Sequence, residues 1–231
     1  VDLLESLNAP AYKIASFEIV DLPLIKYVAR LGKPIIMSTG LSNINEIEEA
    51  LKTARDAGCK DIILLHCISS YPAPIDQANL KQMQVLAEKF NVEVGLSDHT
   101  LGITASIASV ALGAVLIEKH FTIDPNDKGP DSEFSINPKQ LYELSQGVYD
   151  CWRALGHKKF KRQNCENSNI KYRRSIYIIK DVKKGDLLSE ENIRRIRPGY
   201  GLSPKYYDQV IGKSVLCDLK RGTPLIKEHF I

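Results

Sequence analysis

Two histidines, His99 and His120, stand 21 residues apart, each closing a short run: V-E-V-G-L-S-D-H and V-L-I-E-K-H. The residues between them, Thr104 to Leu112, are small and read as a helix, and Val115 to Phe121 reads as the next strand. In a strand–helix–strand unit the two strands run parallel, so their C-terminal ends share one edge of the sheet. Parallel α/β folds place their chemistry on that edge. A lone histidine there is usually a hydrogen-bonded structural residue. Two at matched ends of successive strands are candidate ligands for a divalent metal, with open positions left for substrate. Each stands near a carboxylate, Asp98 and Glu118, which are read as groups that orient the rings.

The other strand ends supply Lys13, Ser16 and Glu18, then Ser38 and Thr39, then Ser69, Ser70 and Tyr71, then Ser97. Small hydroxyls with one lysine suit a phosphate or carboxylate ligand, offering donors without bulk and one positive charge. Any single serine reads equally as a turn or cap residue; the recurrence at four successive strand ends is the signal. No G-x-G-x-x-G or P-loop pattern occurs, so dinucleotide and P-loop readings lack support. The loop 122–132 leaves the same edge, and its Asp131 is a candidate partner for a polyhydroxylated ligand.

The elements that must position these groups alternate in type. Strands are expected at 12–16, 34–38, 61–67, 92–98 and 115–121, with helices through 24–31, 43–57, 79–90 and 104–112. Asn43 or Ser42 caps the second helix, and Gly58 ends it. The run D-I-I-L-L-H-C is apolar on both faces, as a parallel strand covered by helices is. A last helix, 138–155, sets Leu141, Leu144, Val148, Cys151, Trp152 and Leu155 on one face. Five βα units suit either an open doubly wound sheet or part of a (β/α)8 barrel. A whole barrel needs about 250 residues, so the barrel reading places three units upstream of Val1.

Composition is that of an ordinary globular chain, 44% hydrophobic and 26% charged. No apolar run approaches the ~20 residues of a membrane span, and no secretory signal opens the chain. Five cysteines without C-x-x-C spacing read as thiols of a reducing cytoplasm. Charge divides the chain: residues 1–156 hold 13 Lys+Arg against 20 Asp+Glu (net −7), and 157–231 hold 18 against 8 (net +10), together the +3 of the whole. Two domains are expected. A basic module of this kind can serve nucleic acid, dock on the acidic half, or meet an anionic substrate. Residues 157–231 lack the aromatic-plus-basic pattern of a stacking platform, which disfavours nucleic acid.

K-I-A-S-F-E, S-T-G, H-C-I-S-S-Y-P-A-P, G-L-S-D-H-T-L-G and I-E-K-H-F-T followed by G-P-D resemble, in order and spacing, the sialic acid synthase (NeuB-like) family. The resemblance implies an α/β fold: the C-terminal portion, about five βα units, of a (β/α)8 TIM barrel at 1–156, a linker at 157–168, and a small SAF (antifreeze-like) domain at 169–231. Within that domain S-E-E-N-I is expected as a helix. The family's reaction condenses phosphoenolpyruvate with an N-acetylated amino-sugar aldehyde to a nine-carbon 2-keto acid, releasing phosphate. Implied roles follow residue by residue. His99 and His120 would bind Mn2+ or Mg2+. Lys13, Ser16, Ser38, Ser69 and Ser97 would cradle phosphoenolpyruvate, and Glu18 would be the acid–base. Tyr71 and Asp131 would face the sugar, and Arg197, in R-P-G, would reach the sugar site of the partner subunit of a homodimer. S-F-E, S-S-Y-P-A-P and P-D-S-E-F-S are most similar to pseudaminic acid synthases, with neuraminate and legionaminate synthases as alternatives. A related barrel aldolase, or a non-catalytic carbohydrate-binding fragment, is the reading from another class. Without upstream units the chain is expected to be inactive alone.

Overall fold

A computed structural model describes residues 1–126 and 129–231. Asp127 and Lys128 of the loop 122–132 lie outside the described residues. The N-terminal unit, Val1–His157, carries five parallel strands: β1 (Tyr12–Ile14), β2 (Ile35–Ser38), β3 (Ile62–Cys67), β4 (Glu93–Asp98) and β5 (Ile117–Lys119). Each strand pairs with the next in chain order. A doubly wound sheet reverses its order at a switch point, whereas a barrel adds strands one after another. The unbroken order is the barrel's, and the fold is a five-unit portion of one.

Its helices are α1 (Asp2–Ser6), α2 (Leu22–Ala29), α3 (Ile44–Asp56), α4 (Gln82–Phe90), α5 (Thr104–Ala111) and α6 (Pro138–Leu155). Local chemistry sets their limits. Asn43 accepts from the backbone N–H groups of Asn45 and Glu46, and Glu46 accepts in return from the Asn43 N–H, the reciprocal box that starts α3. That helix buries Ile47, Ala50, Leu51 and Ala54. They pack in one core with Ile14, Ile35, Met37, Leu64, Met83 and Leu86. Asn137 and Gln140 cap α6 in the same way. Of the face expected to be apolar on α6, only Leu144 is buried, and Trp152 is 64% exposed. The helix packs on α5 where a Cβ added to Gly147 would meet the Ile107 side chain. Leu141, Val148 and Trp152 instead line an apolar groove with Val115 and Ile117.

The C-terminal unit, Lys158–Ile231, holds the antiparallel pair β6 (Ser175–Ile178) and β7 (Ile193–Ile196) and the short helix α7 (Tyr207–Val210). Ile176, Ile178, Leu188, Ile193, Val210, Val215 and Leu225 form its own core. The S-E-E-N-I helix is not there. Asn192 turns its side-chain carbonyl back onto the Ser189 N–H at 2.8 Å, a local bond that competes with helix, and Ile193 begins β7. Residues 164–172, partly expected as linker, form 3-10 turns. Among the described residues no helix is long and apolar enough to cross a membrane.

Candidate functional site

Strand register assembles the site. Cys67 pairs with Ser97 and Ser97 with Glu118 across β3, β4 and β5. Side chains alternate along a strand, so His99 and His120, two residues further on, point the same way. Their ring centroids lie 5.2 Å apart. Tyr71 leans on His99 at 4.3 Å, and Phe134 closes on His120 at 5.0 Å. His99 Nδ1 stands 3.0 Å from the Ile68 carbonyl oxygen, which can only accept, so Nδ1 donates and Nε2 keeps its lone pair. His120 Nδ1 stands 3.4 Å from an Asp131 carboxylate oxygen, a proximity without a hydrogen bond. A ring held at Nδ1 by a carbonyl, as His99 is, has the usual outer arrangement of a metal-ligating histidine. Among the described residues no group of three or more His, Cys, Asp or Glu could hold a metal together, so an ion at these rings would have two imidazoles from the chain and would need its other ligands from elsewhere.

Asp98 and Glu118 do not orient the rings. Asp98 accepts from the Thr100 N–H and hydroxyl, from Ser106 Oγ and from Lys119 Nζ at 2.9 Å, and none of these is a histidine. As neighbours of His99 and His120 in their strands, Asp98 and Lys119 face the other side of the sheet. Glu118 shares the site face, but it accepts from Ser97 Oγ at 2.8 Å and pairs with Lys13 Nζ at 3.3 Å.

Ser16 and Ser69 lie against a residue that sequence reasoning missed, Cys67. Ser16 Oγ accepts from the Gly40 N–H at 3.0 Å. Cys67 Sγ lies 3.7 Å from both Ser69 Oγ and His99 Nδ1. A Cβ on Gly40 would collide with Ser69 Oγ and Ser16 Oγ and come within 3.1 Å of Cys67 Sγ, so glycine keeps this space open. Ser38 Oγ is buried and, among the described residues, has no hydrogen-bond partner. A buried unpaired hydroxyl costs about 1–3 kcal/mol, and a ligand oxygen would remove that cost. Glu18 lies exposed on the turn Ser16–Glu18 and, among the described residues, has no side-chain hydrogen bond or ion pair to the site. Arg197 belongs to the C-terminal unit, where it is exposed beyond the end of β7.

Electrostatics tie the rings to the thiol. Burial pushes the Cys67 thiol up, but hydrogen bonds with His99, Ser16 and Ser69 outweigh it and leave the thiol below its ordinary value. Burial pushes His99 down, and there the Cys67 sulfur and the Ile68 carbonyl outweigh it and raise the ring. His120 is lowered, first by burial and then by the facing His99 ring. Neutral His120 is the form that can donate a lone pair to a metal.

Residues 1–160 match the NeuB family and residues 173–231 match the SAF domain. The chain belongs to the NeuB family. Among its relatives, N,N'-diacetyllegionaminic acid synthase of Campylobacter jejuni is 46% identical over 231 residues, 99% of this chain and 69% of that protein. Pseudaminic acid synthase of Helicobacter pylori is 43% identical over 227 residues, 97% of this chain and 66% of that protein. The crystal structure of the spore coat polysaccharide biosynthesis protein SpsE of Bacillus subtilis superposes with a TM-score of 0.65 at 36% identity, covering 100% of this chain and 70% of that one. This NeuB chain thus spans about two thirds of the length of the relatives it matches. Its two families meet in a SAF unit attached to a barrel portion, an attachment that a simple barrel aldolase has no reason to carry.

Proposed function

We propose that this chain serves a metal-dependent synthase that condenses phosphoenolpyruvate with an N-acetylated amino-sugar aldehyde, forming a nine-carbon 2-keto acid and releasing phosphate. The observation that carries the reading is the His99–His120 pair, with the His99 ring held at Nδ1, set on one sheet edge beside Lys13 and the serines. His99 and His120 would hold the divalent ion, Mn2+ over Mg2+ because both donors are nitrogens. Such an ion, when bound, polarises the acceptor's aldehyde oxygen. Lys13, Ser16, Ser38, Ser69 and Ser97 hold the phosphoenolpyruvate dianion so that its C3 meets the aldehyde carbon. Positive character at C2 is quenched by water, and the tetrahedral adduct expels phosphate. Glu18, exposed on the turn that follows Lys13, is the candidate proton carrier. Tyr71 and Asp131, both against the histidine rings, line the sugar side. Arg197 would reach the sugar across a homodimer, in the cytoplasm, where phosphoenolpyruvate is made.

The acceptor we infer is 2,4-diacetamido-2,4,6-trideoxy-L-altrose, giving pseudaminic acid, on the strength of S-F-E, S-S-Y-P-A-P and P-D-S-E-F-S. The 46% identity to a legionaminic acid synthase favours legionaminate as the second reading. The test is phosphate release from phosphoenolpyruvate with Mn2+, in the chain extended upstream to the length of its relatives. The altrose derivative, the legionaminate acceptor and N-acetylmannosamine are offered in parallel. Release with the altrose derivative alone is the expected result. Release with another sugar alone moves the assignment to that branch, and no release with any of the three in a folded protein overturns the reading.

A further inference from the structure

Cys67 closes β3 where the anion cradle meets the histidine pair, yet neither a metal nor an anion requires a thiol there. Its sulfur lies 3.7 Å from both Ser69 Oγ and His99 Nδ1, and the Ser16 hydroxyl bonds the same sulfur. The other partners of these groups fix the direction of each bond. His99 Nδ1 carries its proton, since it faces the Ile68 carbonyl oxygen at 3.0 Å, so the sulfur accepts from the ring. Ser16 Oγ already accepts from the Gly40 N–H at 3.0 Å, which leaves its own proton to give. Accepting from both, the thiol still has one proton to donate, and Ser69 Oγ is the acceptor within reach. Ser69 thereby keeps its proton for a further partner. The space for that partner is present. Ser38 Oγ is buried and, among the described residues, has no hydrogen-bond partner. Ser38 pairs with Leu65, two residues before Cys67, so it shares the face of the sheet that Cys67 occupies. Gly40 keeps this place open, where a Cβ would meet Ser69 Oγ, Ser16 Oγ and Cys67 Sγ.

We propose that Cys67 is a positioning residue for the bound anion, its thiol setting the Ser69 hydroxyl to donate into the cradle. The inference rests on the cradle taking phosphoenolpyruvate, as proposed above. In the chain from Ser16 through the thiol to Ser69 and the anion, each hydrogen bond polarises the next. Ser16 thus serves the anion through the thiol, and Ser69 serves it directly.

The experiment titrates residues 1–231 with phosphoenolpyruvate by calorimetry, as wild type, Cys67→Ala, Cys67→Ser, Ser69→Ala and the double variant Cys67→Ala/Ser69→Ala. Cys67→Ala should weaken binding about 2–10-fold, the effect of one neutral hydrogen bond, and Ser69→Ala by as much or more. The double variant should bind like Ser69→Ala, because the thiol acts through that hydroxyl. Serine is close to alanine in size but keeps a donor and an acceptor. Cys67→Ser should therefore recover part of the loss, which separates hydrogen bonding from packing. In the wild type the Cys67 S–H stretching band, identified by its absence from Cys67→Ser, should move to lower frequency as phosphoenolpyruvate is added. A side chain that only filled space would show no such shift, and this readout stands even if an alanine variant fails to fold. Equal losses in Cys67→Ser and Cys67→Ala, additive losses in the double variant, or a static S–H band would each overturn the proposal and leave the cradle standing. No binding by the wild type would overturn the cradle itself, and the proposal with it.

Discussion

Glu118→Gln tests whether the cradle is held closed by one of its own residues. Glu118 places one carboxylate oxygen 2.8 Å from Ser97 Oγ and the other 3.3 Å from Lys13 Nζ. It thus takes up two of the groups assigned to an anionic ligand and adds a like charge where that ligand must sit. Glutamine keeps the size and removes the charge. The Lys13 and Glu118 side chains are 29% and 40% exposed, so the ion pair is worth about 0.2–1 kcal/mol. The hydroxyl-to-carboxylate bond adds about 1 kcal/mol after the same discount for solvent. An incoming anion must displace both. Glutamine's carbonyl can still accept from Ser97, so removing the charge should tighten anion binding by about 0.2–1 kcal/mol, or about 1.4–5-fold. Calorimetric titration of residues 1–231 with phosphoenolpyruvate reads this directly, and Ser97→Ala serves as the control for loss of a donor. Unchanged or weaker binding in Glu118→Gln would refute the idea that Glu118 competes for the cradle, and would make it a scaffold for Lys13 instead.

Gly40→Ala should abolish anion binding in the same titration and cost about 1–3 kcal/mol of stability, because its methyl enters the space shared by Ser16, Ser69 and Cys67; binding retained within a factor of two would mean that the ligand lies elsewhere. His66 is buried with Nε2 donating to the Ala78 carbonyl at 2.8 Å, and burial lowers it from its ordinary 6.5. Its folded value lies below its unfolded one, so its contribution is complete above pH 6.5 and is lost as the pH falls through the folded value. Urea titrations between pH 7.5 and 5 should show this slope in the wild type and a shallower one in His66→Gln, and equal slopes would remove His66 as the cause.

Much of the barrel portion was legible because parallel strands under helices are bare apolar runs closed by polar ends. Ile62–Cys67 and Ile35–Ser38 show this plainly. Helix starts were less so: Asn79 adopts φ 43, outside the helical region, and α4 begins only at Gln82. Cys67 was invisible because a thiol at the end of I-I-L-L-H-C reads as core. Only the register that sets it beside Ser97 turns it toward the serines. Glu118 was misassigned for a different reason. Its partner Lys13 lies on β1, at the far side of the five-strand row, and no local pattern connects strands that are neither sequential nor paired. Alternation did speak to Asp98, since a residue next to His99 in a strand cannot share its face.

That opposite face explains how the two histidines come to stand side by side. Asp98 and Lys119 are register partners on β4 and β5, joined at 2.9 Å, with side chains 1% and 3% exposed respectively. Every lone pair that Asp98 uses has a donor, from Thr100, Ser106 and Lys119, and Lys119 also donates to the Thr100 carbonyl at 2.7 Å. Burial pushes the Asp98 carboxyl up, and these donors together overcome it and hold it below its ordinary value. The pair therefore locks β4 to β5 in the register that aligns Ser97 with Glu118 and, two residues on, His99 with His120. Asp98→Asn leaves Lys119 charged and buried without a counter-ion, which should cost about 3–5 kcal/mol. Asp98→Asn/Lys119→Met removes the stranded charge and should recover most of that loss. The recovered chain should still bind Mn2+ more weakly than wild type, since the ladder and the Ser97–Glu118 bond then hold the two histidine strands without the buried pair. Stability by urea unfolding and Mn2+ affinity by electron paramagnetic resonance separate the two effects. A double variant with wild-type Mn2+ affinity would show that the backbone ladder alone aligns the rings, and that the buried pair has no part in building the site.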